Sequence, residues 1–141
     1  MKYLLFLFLL IPTHAKAFTA DDVFNAVNRD RRAPLVRNTR LETAAQAKAD
    51  ALSACSCFSH DIGKTTPWYF IKKTGYRYRA AAENLAQGFM KVEDLNTAWM
   101  NSPSHRKNIL AGYKETGIGI SEGTFEGKKT VFVVQMFGYP R

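Results

Sequence analysis

Three side chains in this sequence have the types to do chemistry together: His60, Glu83 and His105. Two imidazoles and a carboxylate can bind a divalent transition metal with one position left open. The same set can move a proton through a bound water. His60 closes the run Phe58-Ser59-His60, Glu83 opens Glu83-Asn84-Leu85-Ala86, and His105 follows a proline in Ser102-Pro103-Ser104-His105. If Ser102 caps and Pro103 takes the first helical position, His105 lies in the first turn of a short helix. The positive end of that helix favours a neutral imidazole, the form that binds metal or accepts a proton. No compact H-E-x-x-H pattern is present. Spacing alone therefore favours a plainer role, with both histidines bonded to backbone carbonyls and to Glu83.

Other chemistries are poorly supported. There is no G-x-S-x-G motif, and Ser59-His60-Asp61 are sequence neighbours that do not read as a triad. Neither cysteine stands in a recognisable nucleophile motif. Cys55 and Cys57 are the only two cysteines, one serine apart. A bridge between them would close a very small ring with poor geometry and little entropic gain. The first reading is therefore two small residues at a helix end; a local or intermolecular disulfide comes second, and metal ligation together with His60 comes last.

The elements that must position these groups are legible as patterns. Thr19-Ala20-Asp21-Asp22 starts a helix with Val23, Phe24 and Val27 on one face, ending near Arg32 because of Pro34. Leu35 to Asn38 reads as a short extended loop. Thr39-Arg40-Leu41-Glu42 reads as a capping box opening an alanine-rich helix that ends between Ala54 and Phe58, with His60 just beyond. Small residues on its inner face allow close approach to a sheet or another helix. Thr66-Pro67 opens a third helix to about Thr74, with Gly75 suited to the position after its end. Tyr76 to Arg79 reads as a half-buried connection. The spacing predicts a short strand near Glu83 to Leu85, then a helix carrying Val92, Leu95, Ala98 and Trp99 and ending at Asn101-Ser102-Pro103. Two strands close the chain, 116–121 and 130–137, with a turn over 122–129. The last strand is apolar on both faces, which predicts a central strand covered on both sides.

A chain of 141 residues makes one domain with a real core. Residues 1–17 are expected to be a signal peptide: Lys2, an apolar run too short to span a bilayer, and Ala15-Lys16-Ala17 at the cut. The expected mature domain is 18–141, exported to a secreted or periplasmic location and not membrane-spanning. The formal charge is +8, and removing Lys2 and Lys16 gives 8 − 2 = +6. The basic residues are scattered and carry no nucleic-acid-binding motif, so no nucleic-acid partner is expected.

Taken together, Phe58-Ser59-His60, Glu83-Asn84-Leu85-Ala86 and Trp99 to Leu110 resemble the signature blocks of the bacterial CAP, or SCP-like, domain. That family includes cysteine-rich secretory proteins, insect antigen 5 and plant pathogenesis-related protein 1. Thr116-Gly117-Ile118-Gly119-Ile120 and Val133 to Gly138 fit its closing strands. The resemblance implies an α+β fold, a three-layer α-β-α sandwich with a mainly antiparallel sheet and helices on both faces. It also implies a cleft lined by two histidines and two glutamates. His60, Glu83 and His105 match three of these positions. Glu93 lies on the wrong side of Trp99 for the fourth; the resemblance offers Glu115 instead, since similar bacterial sequences often carry an acid just before Gly117-Ile118-Gly119.

The leading expectation is a binding module that engages a lipid, glycan or envelope polymer, with Zn²⁺ as the cofactor its cleft could hold. In that reading His60 and His105 are the metal ligands, and His60, Glu83, His105 and Glu115 contact the ligand. The alternative is a metal-dependent or acid/base hydrolase of peptide or envelope substrates, with His60, Glu83 and His105 as catalytic candidates. A third reading is a structural interaction domain that merely retains the histidines.

Overall fold

The computed structural model describes residues 17–141; the expected signal peptide, save Ala17, lies outside them. Five helices and four strands follow in the order α1 (Ala20–Arg29), β1 (Val36–Arg37), α2 (Thr39–Cys55), α3 (Pro67–Lys73), β2 (Tyr78–Gln87), α4 (Val92–Asn101), α5 (Pro103–Leu110), β3 (Glu115–Phe125) and β4 (Lys128–Pro140). The sheet order is β1-β3-β4-β2. β3 and β2 both run antiparallel to β4, and β1 adds a parallel edge beside β3.

The doubly apolar strand is central, as its pattern predicts. Phe132, Val134 and Met136 face Leu41, Ala45 and Leu52 of α2. Val133 and Phe137 face the opposite layer, where Val23 and Val27 of α1 meet Leu95 and Trp99 of α4 and Ile109 of α5. Helices thus cover both faces of one mainly antiparallel sheet, which is the α-β-α sandwich. The small-residue face of α2 presses directly on β3. A Cβ at Gly117 would fall 2.1 Å from the backbone of Leu41 and Glu42, and one at Gly119 would fall 2.3 Å from that of Ala45 and Gln46. Only glycine permits that approach.

Several local expectations are corrected. α1 ends at Arg29 rather than near Arg32, although its start is as read: Asp22 Oδ2 accepts from Thr19 N at 2.7 Å, and Thr19 Oγ1 accepts from Asp22 N at 3.2 Å. α2 is capped by Asn38, not by Thr39. Asn38 Oδ1 accepts from the amides of Arg40 and Leu41, while Glu42 pairs with Arg37. The loop 35–38 contains β1, formed because Val36 and Arg37 pair with Glu115 and Thr116. The strand near Glu83 extends over Tyr78–Gln87. The final turn shrinks from 122–129 to Glu126-Gly127. Both residues have positive φ, at 50° and 77°, between Phe125 and Lys128, as a two-residue hairpin of matching twist requires.

Cys55 and Cys57 are joined in a disulfide with Cα atoms 5.2 Å apart, which overturns the reading placed first. The reason is Ser56. It takes the left-handed conformation at φ 49° and turns the chain back, so that Cys57 N donates to Leu52 O, a helix-terminating bond. Residues two apart then point to the same side. The basic residues also divide in role. Arg31 is no free surface charge, because its guanidinium donates to the carbonyls of Ile109, Ala111 and Tyr113 and ties α1 to the chain leaving α5.

β2 is an edge strand whose outward carbonyls are already taken by side chains. Tyr113 Oη donates to Ala81 O, Asn108 Nδ2 to Glu83 O at 3.2 Å, and Trp99 Nε1 to Leu85 O at 3.0 Å. These bonds blunt an edge that would otherwise recruit another strand.

Candidate functional site

The cleft forms over this guarded edge. It measures about 500 Å³, and its floor is Ala81 to Glu83 of β2. One wall comes from the α2–α3 side with His60, Asp61 and Trp68. The other comes from α5 and beyond with Ser104, Lys107, Asn108 and Tyr113. Trp68 leaves 37 % of its surface exposed, an aromatic face in a setting that mixes apolar Pro67, Ala81, Ala82 and Tyr113 with polar side chains.

His60 and Glu83 are brought together. Alternation along β2 points Glu83 toward α2, and the chain leaving α2 carries His60 over it. His60 Nδ1 lies 2.7 Å from Glu83 Oε1. The two partners differ in environment: the His60 side chain is 60 % exposed and that of Glu83 only 2 %. A buried carboxylate thus orients an accessible imidazole and leaves Nε2 as the free ring nitrogen. Burial pushes the Glu83 carboxyl above its ordinary range, against the opposing pull of Lys48 and His60.

His105 is placed differently. It lies across the strand edge in α5, half-buried, with its ring stacked on Trp99 at 6.3 Å. Ser102 was expected to cap α5 but makes no side-chain cap bond. Its Oγ instead lies 2.7 Å from His105 Nδ1. His105 is pushed below the usual imidazole range, as expected, but the causes are burial first and the charge on His60 second, rather than the helix end. The backbone carbonyl of His105 accepts from Asn84 Nδ2. His105 is not among the side chains lining the cleft.

Glu115 is placed elsewhere. It starts β3, and its Oε2 accepts from Tyr76 Oη at 2.6 Å. Burial and this carboxylate push the Tyr76 phenol far up. Glu115 does not line the cleft.

The residue that the sequence reading passed over is Lys48. It stands on the inner stripe of α2, four residues after Ala44 and four before Leu52, and is completely buried. Its Nζ donates to the carbonyl of His60, lies 3.9 Å from Glu83 Oε2 and sits 5.5 Å from the centre of the Phe70 ring. Burial lowers its pKa, with Glu83 opposing. A lysine in an otherwise apolar helical stripe was the available signal, since buried cations are rare unless paired.

Among the described residues no group of three or more His, Cys, Asp or Glu side chains could hold a metal ion. Glu83 Oε2 faces the Lys48 ammonium, and His60, held at Nδ1 by Glu83, keeps Nε2 as the ring nitrogen open to a ligand. The cysteines are bonded to each other.

A three-layer sandwich whose edge cleft carries a histidine–glutamate pair defines the class, and comparison with known proteins agrees. The family model for the cysteine-rich secretory protein family, CAP, matches residues 24–137, and the chain belongs to this family. The uncharacterized protein YkwD of Bacillus subtilis (strain 168) is 35% identical over 91 residues. That alignment covers 63% of this chain but 35% of the relative, so the chain spans well under half of the protein it matches. Among solved structures, an outer surface protein from Borrelia burgdorferi superposes with a TM-score of 0.72 at 22% identity, over 88% of this chain and 96% of the other. An extracellular protein containing an SCP domain from Bacillus anthracis superposes with a TM-score of 0.69 at 22% identity, over 84% and 39%. At these identities the likeness is one of fold. Among the described residues no helix is long and apolar enough to cross a membrane.

Proposed function

We propose that this protein is an exported binding module whose cleft takes a glycan segment of the cell envelope. The observation that carries this reading is the composition of the cleft: a half-exposed Trp68 opposite Ser104, Lys107 and Asn108, with the His60–Glu83 pair at the base. An aromatic face with a few fixed polar groups suits a sugar, which presents an apolar ring face and a hydroxyl rim. A lipid chain calls for a more enclosed cavity. Export accords with the Lys2-to-Ala17 leader pattern and with the surface or extracellular descriptions of the Borrelia and Bacillus anthracis proteins.

One feature favours a second reading, a metal-independent acid/base hydrolase of envelope material. An exposed imidazole oriented by a buried carboxylate can take and return a proton. A single experiment separates the two. Soluble envelope glycan fragments are titrated by calorimetry into wild type, Trp68→Ala and His60→Ala, and the recovered glycan is weighed by mass spectrometry. The module reading expects binding that weakens at least about tenfold in Trp68→Ala, with the glycan returned intact. Glycan cleaved by wild type and spared by His60→Ala would establish the hydrolase instead. Equal binding by all three proteins would place the ligand elsewhere.

A further inference from the structure

The bridge between Cys55 and Cys57 is placed unlike a structural staple. Its sequence separation is 2, so it closes almost no chain and adds little stability by constraining the unfolded state. It is not shielded by the core. Cys55 is exposed, as are its neighbours Ala54 and Ser56, and Cys57 is half-buried against the α2 side of the core. Neither cysteine lines the cleft. The turn that carries them is also held without the bridge. Ser56 N donates to Ser53 O, and Cys57 N donates to Leu52 O. Ser56 Oγ lies 3.1 Å from Thr124 Oγ1, and Phe58 meets Phe125 edge to face at 6.4 Å. Opening the bridge therefore leaves both sulfur atoms side by side on the same turn, ready to close again.

We propose that Cys55 and Cys57 form a redox-active site, separate from the cleft, whose disulfide accepts electrons from external thiols. Exposed disulfides have higher reduction potentials than shielded structural ones and open more readily. Exposure also directs the attack. An incoming thiolate reaches Cys55 Sγ and bonds to it as the Cys55–Cys57 bond breaks. Cys57 leaves as a thiolate and takes a proton from water. A second thiolate then attacks the partner's sulfur in this mixed disulfide. Cys55 leaves as a thiolate, is protonated in turn, and the two partner thiols depart joined as a disulfide. Two electrons have passed from the partner thiols to the protein pair. The position past the C-terminal end of α2 fixes the direction of this chemistry. It lacks the helix N-terminus that stabilises a thiolate, so the pair is attacked by thiolates rather than serving as an activated nucleophile itself.

The test exposes the folded, full chain to reduced glutathione and, separately, to a reduced unfolded protein at equal thiol concentration. Free thiols are trapped by alkylation after an acid quench and counted by mass spectrometry, with circular dichroism on the same samples. Two thiols per chain are expected to appear while the fold is kept, and the bridge is expected to return when oxidised glutathione is added. The probe that opens the bridge faster tells whether a small-molecule or a protein thiol is the better donor. A bridge that resists both probes until denaturant is added overturns the proposal. Loss of the fold on reduction, or in Cys55→Ser or Cys57→Ser, marks a structural staple and overturns it as well. The two single variants also test where attack falls. Cys55 in Cys57→Ser is expected to react with iodoacetamide at least about tenfold faster than Cys57 in Cys55→Ser. Equal rates would overturn the assignment of Cys55 as the sulfur attacked.

Discussion

The two histidines of the cleft region differ because their neighbours differ. His60 stands in solvent with its Nδ1 at a buried carboxylate. His105 is half-buried, stacked on Trp99 and bonded to Ser102. Burial, then the charge on His60, hold its pKa below the unfolded value. The unfolded chain therefore binds more protons in the window just below the ordinary imidazole pKa of about 6.5. His105 contributes stability above that value and loses it as pH falls through the folded value. Wild type should consequently lose more thermal stability than His105→Gln as pH drops from about 7.5 to about 5.5. Melting curves across that range check this, and parallel curves for the two proteins would contradict the placement of the ring. Glu115 shows the converse at this scale. Its place before Gly117-Ile118-Gly119 suggested the cleft, but its side chain bonds Tyr76, a contact formed across the fold that no local motif announces.

At the scale of elements, α2 and β3 determine where the cleft walls stand. The alanine face of α2 and the glycines of β3 meet at backbone distance. That contact places α2, and with it Lys48 and the chain leading to His60. Gly119→Ala would drive a methyl group into the backbone of Ala45 and Gln46. The expected cost is about 1–3 kcal/mol, as for other overpacked cores. Denaturant unfolding measures it, and an unchanged midpoint would show that the two elements can move apart freely. Much of this level was legible in advance. The helix start at Thr19, the proline at the start of α3 and the doubly apolar β4 all follow from local chemistry. What escaped depends on partners distant in sequence or on unusual backbone. β1 exists only because Val36 meets Glu115. The Cys55–Cys57 bridge depends on the left-handed Ser56. The short hairpin turn needed a non-glycine residue, Glu126, at positive φ.

At the scale of the molecule, the cleft exists because the sandwich leaves one sheet edge between two helical layers. α4 and α5 satisfy that edge with side chains rather than with another strand. The groove above it collects His60 and Trp68 from one layer and Lys107 and Asn108 from the other. The resemblance of the motif blocks anticipated the fold and the meeting of His60 with Glu83. It did not anticipate Lys48, because a lysine in a helix ordinarily faces water.

The tryptophans offer the most direct test of the claim that this groove is the binding site. Trp99 is buried at 2 % exposure, while Trp68 stands on the cleft wall at 37 %. A change in tryptophan emission on ligand addition therefore reports on Trp68. Titration with soluble envelope glycan fragments should produce a saturable change in wild-type emission. Trp68→Phe should abolish the change, and His60→Ala should shift its midpoint to higher glycan concentration. A full response in Trp68→Phe, or an unshifted midpoint in His60→Ala, would contradict the account.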